Sequence, residues 1–218
     1  MSTETLLVEL GTEELPPTAL KSLGLAFRDG IVAGLAMREL EHGDVRWFAT
    51  PRRLAVQIGD VQVRGADKHV ELLGPPADRA KDDAGNWTPA AAGFARKQGV
   101  EPEELEEIDT PKGVRVGLRR TEPGVATSNV LNDIIHESIT ALPIPKRMRW
   151  GASRVEFVRP VHWAVAMLGD KTDHGEILGL PTGNRTRGHR FHSTGELVHT
   201  ALLSGSSLVP PFPLVGPL

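Results

Sequence analysis

Within TALKSLGLAFRDGIVAGLAMREL, residues 18–40, apolar side chains fall at Leu20, Leu23, Phe27, Ile31 and Leu35. Spacings of three and four put them on one face of an α-helix. Pro17 suits its first turn, where a missing N–H costs nothing. Gly24, Gly30 and Gly34 either weaken this helix or let a neighbour approach closely. Strand-like runs flank it. TLLVELG (5–11) precedes it, and VRWFATPRRLAVQIGDVQVR (45–64) follows it. Pro51 divides the second run into two strands, or one bent strand, around TPRR. An amphipathic helix between strands has to bury its face against another layer.

The rest of the chain continues in mixed fashion. HVELLGPP (69–76) predicts a strand ending in a turn, and DDAGNWTP (82–89) a turn and loop. PAAAGFARKQG (89–99), with proline at its front and glycine at its back, predicts a short helix. The acidic run EPEELEEID is expected to begin another helical turn. KGVRVGLRRTEPG (112–124) predicts a strand. ATSNVLNDIIHESITAL (126–142) predicts a helix with Val130, Ile134 and Leu142 on or near one face, stopped by Pro143. VEFVRPVHWAVAML (155–168) predicts a strand that Pro160 bends or confines to an edge. GEILG (175–179) is strand-like, and GNRTRGHRFH (183–192) is a basic loop or strand. There is no βαβ period and no repeat. The expected class is mixed α+β, mainly antiparallel sheet with packed helices. Residues 1–198 are expected to form one body, divided into two α/β subdomains near 120–150.

No apolar run approaches the ~18–20 residues of a membrane helix. MSTETLLVELG lacks a basic segment and carries Glu4 and Glu9, so it does not read as a signal peptide. The absence of cysteine rules out disulfides and thiolate metal sites and favours a reducing cytoplasm. Tyrosine is also absent, for which we have no physical account. The net charge of −3 conceals an asymmetry: −7 over residues 1–142, +5 over 143–192 and −1 over 193–218. A basic block inside an acidic chain points to a polyanion-facing surface, or to two halves that neutralise each other.

Few residues suggest catalysis. Glu13 and Glu14 are adjacent, so their side chains diverge; they read as complements to a helix dipole. His189 and His192 have a metal-compatible spacing, but Arg185, Arg187 and Arg190 would repel a dication. There is no phosphate-binding loop motif and no nucleophile elbow. What stands out is cationic and aromatic. TPRRL supplies Arg52 and Arg53, beside Trp47 and Phe48. LPIPKRMRWG (142–151) supplies Lys146, Arg147, Arg149 and Trp150 on an arm stiffened by Pro143 and Pro145. FVRPVHW supplies Arg159, His162 and Trp163. NRTRGHRFH supplies Arg185, Arg187, His189 and Arg190. Guanidinium groups bind phosphate bidentately, and aromatic planes stack on unpaired bases. The same arginines could equally pair with the acids of the N-terminal half.

In order along the chain stand LLVELGTEELPP, ATPRRLAV, GPP with TPAAAGFARKQGV, LPIPKRMRWG, FVRPVHWAVAML and RTRGHRFH. As a set, spanning about residues 5–195, they resemble the N-terminal part of the β subunit of bacterial α2β2 glycyl-tRNA synthetase. The resemblance implies glycylation of tRNA(Gly) with ATP and Mg²⁺ through a glycyl-adenylate, the class II core lying in the α subunit. It implies a tRNA-handling, non-catalytic chain that binds no cofactor itself. Its expected partners are the α subunit and tRNA(Gly), with neither DNA nor membrane. A module of the B3/B4 type is implied as well. The alternative is an interaction module that joins β to α without touching tRNA. Two departures stand out: the HD-like and anticodon-binding parts of the family are missing, and the pattern is lost near Val198. Residues 199–218, apolar and proline-rich, are expected to be disordered or the non-native product of a frameshift.

Overall fold

The computed structural model describes residues 2–82, 85–144, 146–150, 155–188 and 196–199. The chain divides into two compact units, Met1–Gly65 with Val125–Leu218, and Ala66–Gly124. The sequence pointed to a boundary near 120–150; the divisions fall at 65/66 and 124/125.

The larger unit begins with β1 (Thr3–Thr12). A single 3₁₀ turn, Pro17–Ala19, leads into α1 (Leu20–Met37). Strands β2 (Val45–Thr50) and β3 (Arg53–Gln62) then form a hairpin, so the 45–64 run is two strands turning at Pro51–Arg52.

The smaller unit contains β4 (Lys68–Pro76), α2 (Pro89–Gln98), β5 (Glu106–Thr110) and β6 (Gly113–Glu122). Its antiparallel sheet has the order β4-β6-β5. Ala80, Ala91, Ala95, Leu105, Val116 and Leu118 form its core. Here the expectation for EPEELEEID needs correction. Only Pro102–Glu104 makes a 3₁₀ turn, and the residues after Leu105 pair with β6. Cross-strand pairing and the burial of Ile108 at 2 % exposure outweigh the weak strand propensity of Glu and Asp.

The chain then returns to the larger unit through α3 (Thr127–Thr140). Strands β7 (Met148–Arg149) and β8 (Glu156–Phe157) pair with each other. β9 (Val161–Leu168), β10 (Lys171–Thr172), β11 (Glu176–Ile177) and β12 (Leu180–Gly183) join the main sheet, and β13 (Arg185–Arg187) pairs with β14 (Glu196–Val198). Pro160 neither bends one strand nor marks an edge. It separates β8 from β9, and β9 lies inside the sheet order β11-β12-β9-β1-β3-β2, with β10 paired to β9. All neighbours are antiparallel except β12 and β9.

Alternation along β1 explains the layers. Leu6, Val8 and Leu10 join Leu54, Val56 and Ile58 of β3 and Ala164, Ala166 and Leu168 of β9 in the main core, with Leu23, Phe27, Ile31 and Leu35 of α1. From α3 the core takes Leu131, Ile134, Ile135 and Ile139. Of the expected face, Ile134 and Leu142 are buried and Val130 packs, partly buried, against the core; Leu131, Ile135 and Ile139 widen it. A second, smaller cluster of Leu7, Val165 and Met167, with Trp163 packed on it, occupies the opposite strand parity. Gly30 and Gly34 of α1 serve close approach. A Cβ at Gly34 would stand 2.6 Å from the Ile134 side chain of α3.

Candidate functional site

Register brings three of the basic phrases to one end of the main sheet. Gly11, near the end of β1, pairs with Arg53 at the start of β3 and with Trp163 near the start of β9. The backbone of the next loop is bonded on both sides. Thr12 N donates to the Arg52 carbonyl at 2.9 Å, and Glu13 N donates to the Pro160 carbonyl at 2.9 Å. Residues 50–53, 12–14 and 159–163 therefore share one edge.

On that edge Glu13 lies between Arg52 and His162. Arg52 Nη2 donates to its carboxylate at 3.4 Å, and His162 Nε2 lies 2.8 Å from the same oxygen. The sequence reading of Glu13 and Glu14 as dipole partners is corrected by this geometry. Neither lies in the first turn of a helix, and α1 has no acidic residue there. Arg159 Nε donates to the Glu14 carbonyl at 3.0 Å, and its Nη1 lies 2.9 Å from the sulfur of Met148. Through Met148 the 142–151 arm reaches the same edge. Arg149 Nε donates to Glu156 Oε1 at 2.5 Å, while the Arg149 side chain stays 67 % exposed. Ion pairs this open contribute about 0–1 kcal/mol. They orient the guanidinium and leave it other N–H donors.

The remaining arm residues divide in role. Arg147 Nη2 donates to the carbonyl of Thr140, the last residue of α3, at 3.0 Å. A cation there satisfies a terminal carbonyl and complements the helix dipole. Trp150 packs, half-buried, on the main core and anchors the arm. Lys146 is exposed.

The fourth basic phrase arrives through β13. Its residue Thr186 is buried and donates to Glu9, itself buried at 4 % exposure in the middle of β1. Trp163 Nε1 donates to the same Glu9 oxygen at 2.7 Å. Arg53 Nε lies 3.3 Å from it, out of line for a hydrogen bond, so charge holds that pair. Arg53 Nη2 donates to the Arg187 carbonyl. The guanidinium carbons of Arg53 and Arg187 stand 5.9 and 5.6 Å from the Trp163 ring centroid, within cation–π range. The Trp163 ring lies so close to Gly11 that a Cβ there would fall 1.9 Å from it. Burial pushes the His199 imidazole below its ordinary range; the Glu9 carboxylate opposes this shift and the Arg53 cation adds to it. Arg185 is exposed on β13. His189 and Arg190 lie outside the described residues, as do His192 and the 200–218 tail.

The structure therefore brings Arg52, Arg53, Arg149, Arg159 and Arg187 to one region, with Arg147 and Trp150 supporting it. Glu9 was missed as a member of the site. Its signal is a lone carboxylate in the apolar run LLVEL, where a charge is costly unless partnered. Among the described residues no group of three His, Cys, Asp or Glu side chains could hold a metal ion, and no helix is long and apolar enough to cross a membrane.

Residues 6–202 match a family model described as glycyl-tRNA synthetase beta subunit. The chain is 50% identical over 198 residues to the glycine–tRNA ligase beta subunit of Marinobacter nauticus, covering 91% of this chain and 29% of that relative. It is 48% identical over 192 residues to the beta subunit of Hahella chejuensis, covering 88% and 28%. Over 200 residues it is 48% identical to that of Pseudomonas entomophila, covering 92% and 29%. The chain thus spans less than a third of the length of these curated relatives.

Proposed function

The chain belongs to the glycyl-tRNA synthetase β-subunit family, and from that membership we propose that it supplies a non-catalytic, tRNA-facing part of a glycine–tRNA ligase. On this reading ATP-dependent glycyl-adenylate formation, with its Mg²⁺, belongs to a class II α subunit in an α2β2 assembly working in the cytoplasm. The donor set here does not fit those groups. The sequence has no phosphate-cradling loop, and the described residues have no metal-ligating trio.

The observation that carries the reading is the convergence on one sheet edge of arginines from phrases far apart in sequence. Arg149 is held by an open ion pair with Glu156, and half-buried Arg52 by its pair with Glu13 and a bond to the Thr12 carbonyl at 3.4 Å. Such guanidiniums contact phosphate oxygens, which fix the position of a nucleic acid without reading its sequence. Exposed Met148 between two arginines, a composition typical of protein interfaces, favours the second reading, a contact with the α subunit.

The test is a titration of the chain with tRNA(Gly) at about 50 and 200 mM salt, with and without Arg52→Glu and Arg149→Glu. Weaker binding and a shallower salt slope in the variants are expected. Unchanged tRNA binding with lost co-purification of an α subunit would assign the edge to subunit contact.

A further inference from the structure

The smaller unit holds a cavity of about 310 Å³, at the small end of the range for ligand sites. Its apolar lining includes buried Leu105 and Val116, and half-buried Trp87 supplies an aromatic wall. Lys81, Glu103 and Glu107 line it as exposed, charged side chains. Backbone pairing holds these walls in place. Lys81 and Trp87 face each other across an isolated β-bridge. Thr88 N donates to the Ala80 carbonyl at 3.0 Å, and Thr88 Oγ1 donates to the Arg79 carbonyl at 2.9 Å. Glu107 of β5 stands opposite Val116 of β6, so their side chains share one face of the sheet.

The carboxylates of the acidic run divide by use. Glu101 and Glu104 close a capping box on the Pro102–Glu104 turn, and Glu106 pairs with Arg119 at 3.3 Å. The carboxylates of Glu103 and Glu107 make no hydrogen bond or ion pair among the described residues, and these two line the cavity. The Lys81 ammonium lies 4.6 Å from the centroid of the Trp87 ring, so the aromatic wall already carries a cation.

We propose that this cavity takes the guanidinium of an arginine side chain presented by a partner protein. The inference goes beyond the tRNA-facing reading and does not depend on it. A planar guanidinium stacks on an indole face while its edge donates to carboxylates. The apolar lining suits its methylene stem. Two carboxylates at the same site repel a phosphate, which makes nucleic acid the wrong occupant. Lys81 is an internal stand-in for the guest, and the incoming arginine displaces it from the ring.

The test is a titration of the 218-residue chain with the peptide Ac-Gly-Arg-Gly-amide, followed by the indole Nε1–H resonance of Trp87. That resonance is assigned by its loss in Trp87→Phe. A saturable shift is expected, and none with the citrulline peptide, which is isosteric but uncharged. Glu103→Gln combined with Glu107→Gln is expected to weaken binding roughly tenfold, through the loss of charge-assisted contacts. Lys81→Met is expected to tighten it several-fold, because a competing cation is removed. The citrulline comparison uses the native chain and decides even if a variant fails to fold. Equal binding of the two peptides would overturn the proposal, as would unchanged affinity in the double Gln variant. Tighter binding of free L-arginine than of the peptide would make this a small-molecule site and overturn the partner assignment. A shift caused by tRNA(Gly) but not by the arginine peptide would overturn it in favour of nucleic acid. Failure here leaves the tRNA-facing reading standing, since none of these substitutions touches Arg52 or Arg149.

Discussion

Ser138 of α3 donates its hydroxyl to the carbonyl of Phe27 in α1 at 3.0 Å, across a gap that exists because residue 30 is glycine. A Cβ at Gly30 would stand 2.5 Å from the Ser138 oxygen and 2.9 Å from its Cα. Gly30→Ala is therefore expected to destabilise the fold by about 1–3 kcal/mol, despite the better helix propensity of alanine. Gly93 of α2 has nothing within 4 Å of its would-be Cβ. Gly93→Ala is expected to stabilise the smaller unit by about 0.5–1 kcal/mol. Urea titration of the two variants gives opposite shifts in midpoint if this account holds.

Arg38, just past the end of α1, forms a two-pronged bond with Glu137 of α3, with oxygen contacts at 2.8 and 3.1 Å. The hydrogen bond from Arg38 holds the Glu137 carboxyl below its ordinary 4.5; slight desolvation opposes this, and the Arg38 charge reinforces it. A depressed carboxylate contributes stability above its unfolded value and loses it as pH falls through the folded one. Thermal melts from pH 6 down to pH 3 should therefore fall less steeply for Glu137→Gln than for the native chain. Parallel curves would mean the pair contributes nothing measurable.

Asp173 presents the opposite sign. Burial raises its carboxyl above the ordinary 3.8, and the His174 charge only partly offsets that. Its contribution is fully present below 3.8 and is lost as pH rises through the folded value. Asp173→Asn is thus expected to raise the melting temperature at pH 7 and to leave it unchanged near pH 3.

Arg147 and Arg149 are two residues apart and are expected to behave differently. Arg147→Ala removes a cation from the end of α3 and should cost about 0.3–1 kcal/mol of stability. Its effect on the salt slope of tRNA binding should be small. Arg149→Ala should leave stability within about 0.5 kcal/mol and lower the slope by roughly one. Equal slopes in the two variants would remove Arg149 from the contact surface.

Much of this was legible from local pattern. The period of α1, the strand-like apolar run of β1 and the break at Pro51 depend on neighbouring residues, and the structure has them where the pattern puts them. The acidic β5 was not legible, because its partner β6, rather than its own propensity, makes it a strand. The cationic phrases of the site were visible as composition. Their carboxylate partners were not. His162 and Glu13 are separated by 149 residues, Trp163 and Glu9 by 154, and only sheet register joins them. Position alone could not tell Arg147, a helix-end residue, from Arg149, since that depends on where α3 stops.

The central place of β9 bears on how the chain acquires its shape. Leu6 pairs with Leu168, and all of 66–124 is made between them. The β1–β3 pairing can close early, because Leu10 and Leu54 are near in sequence. The other edge of β1 waits for β9, which is made only after the whole of the smaller unit. Contacts so distant make folding slow and leave an unpaired strand edge exposed meanwhile. Nascent chains halted before β9 should therefore be the most chaperone-dependent and aggregation-prone species in the life of this protein.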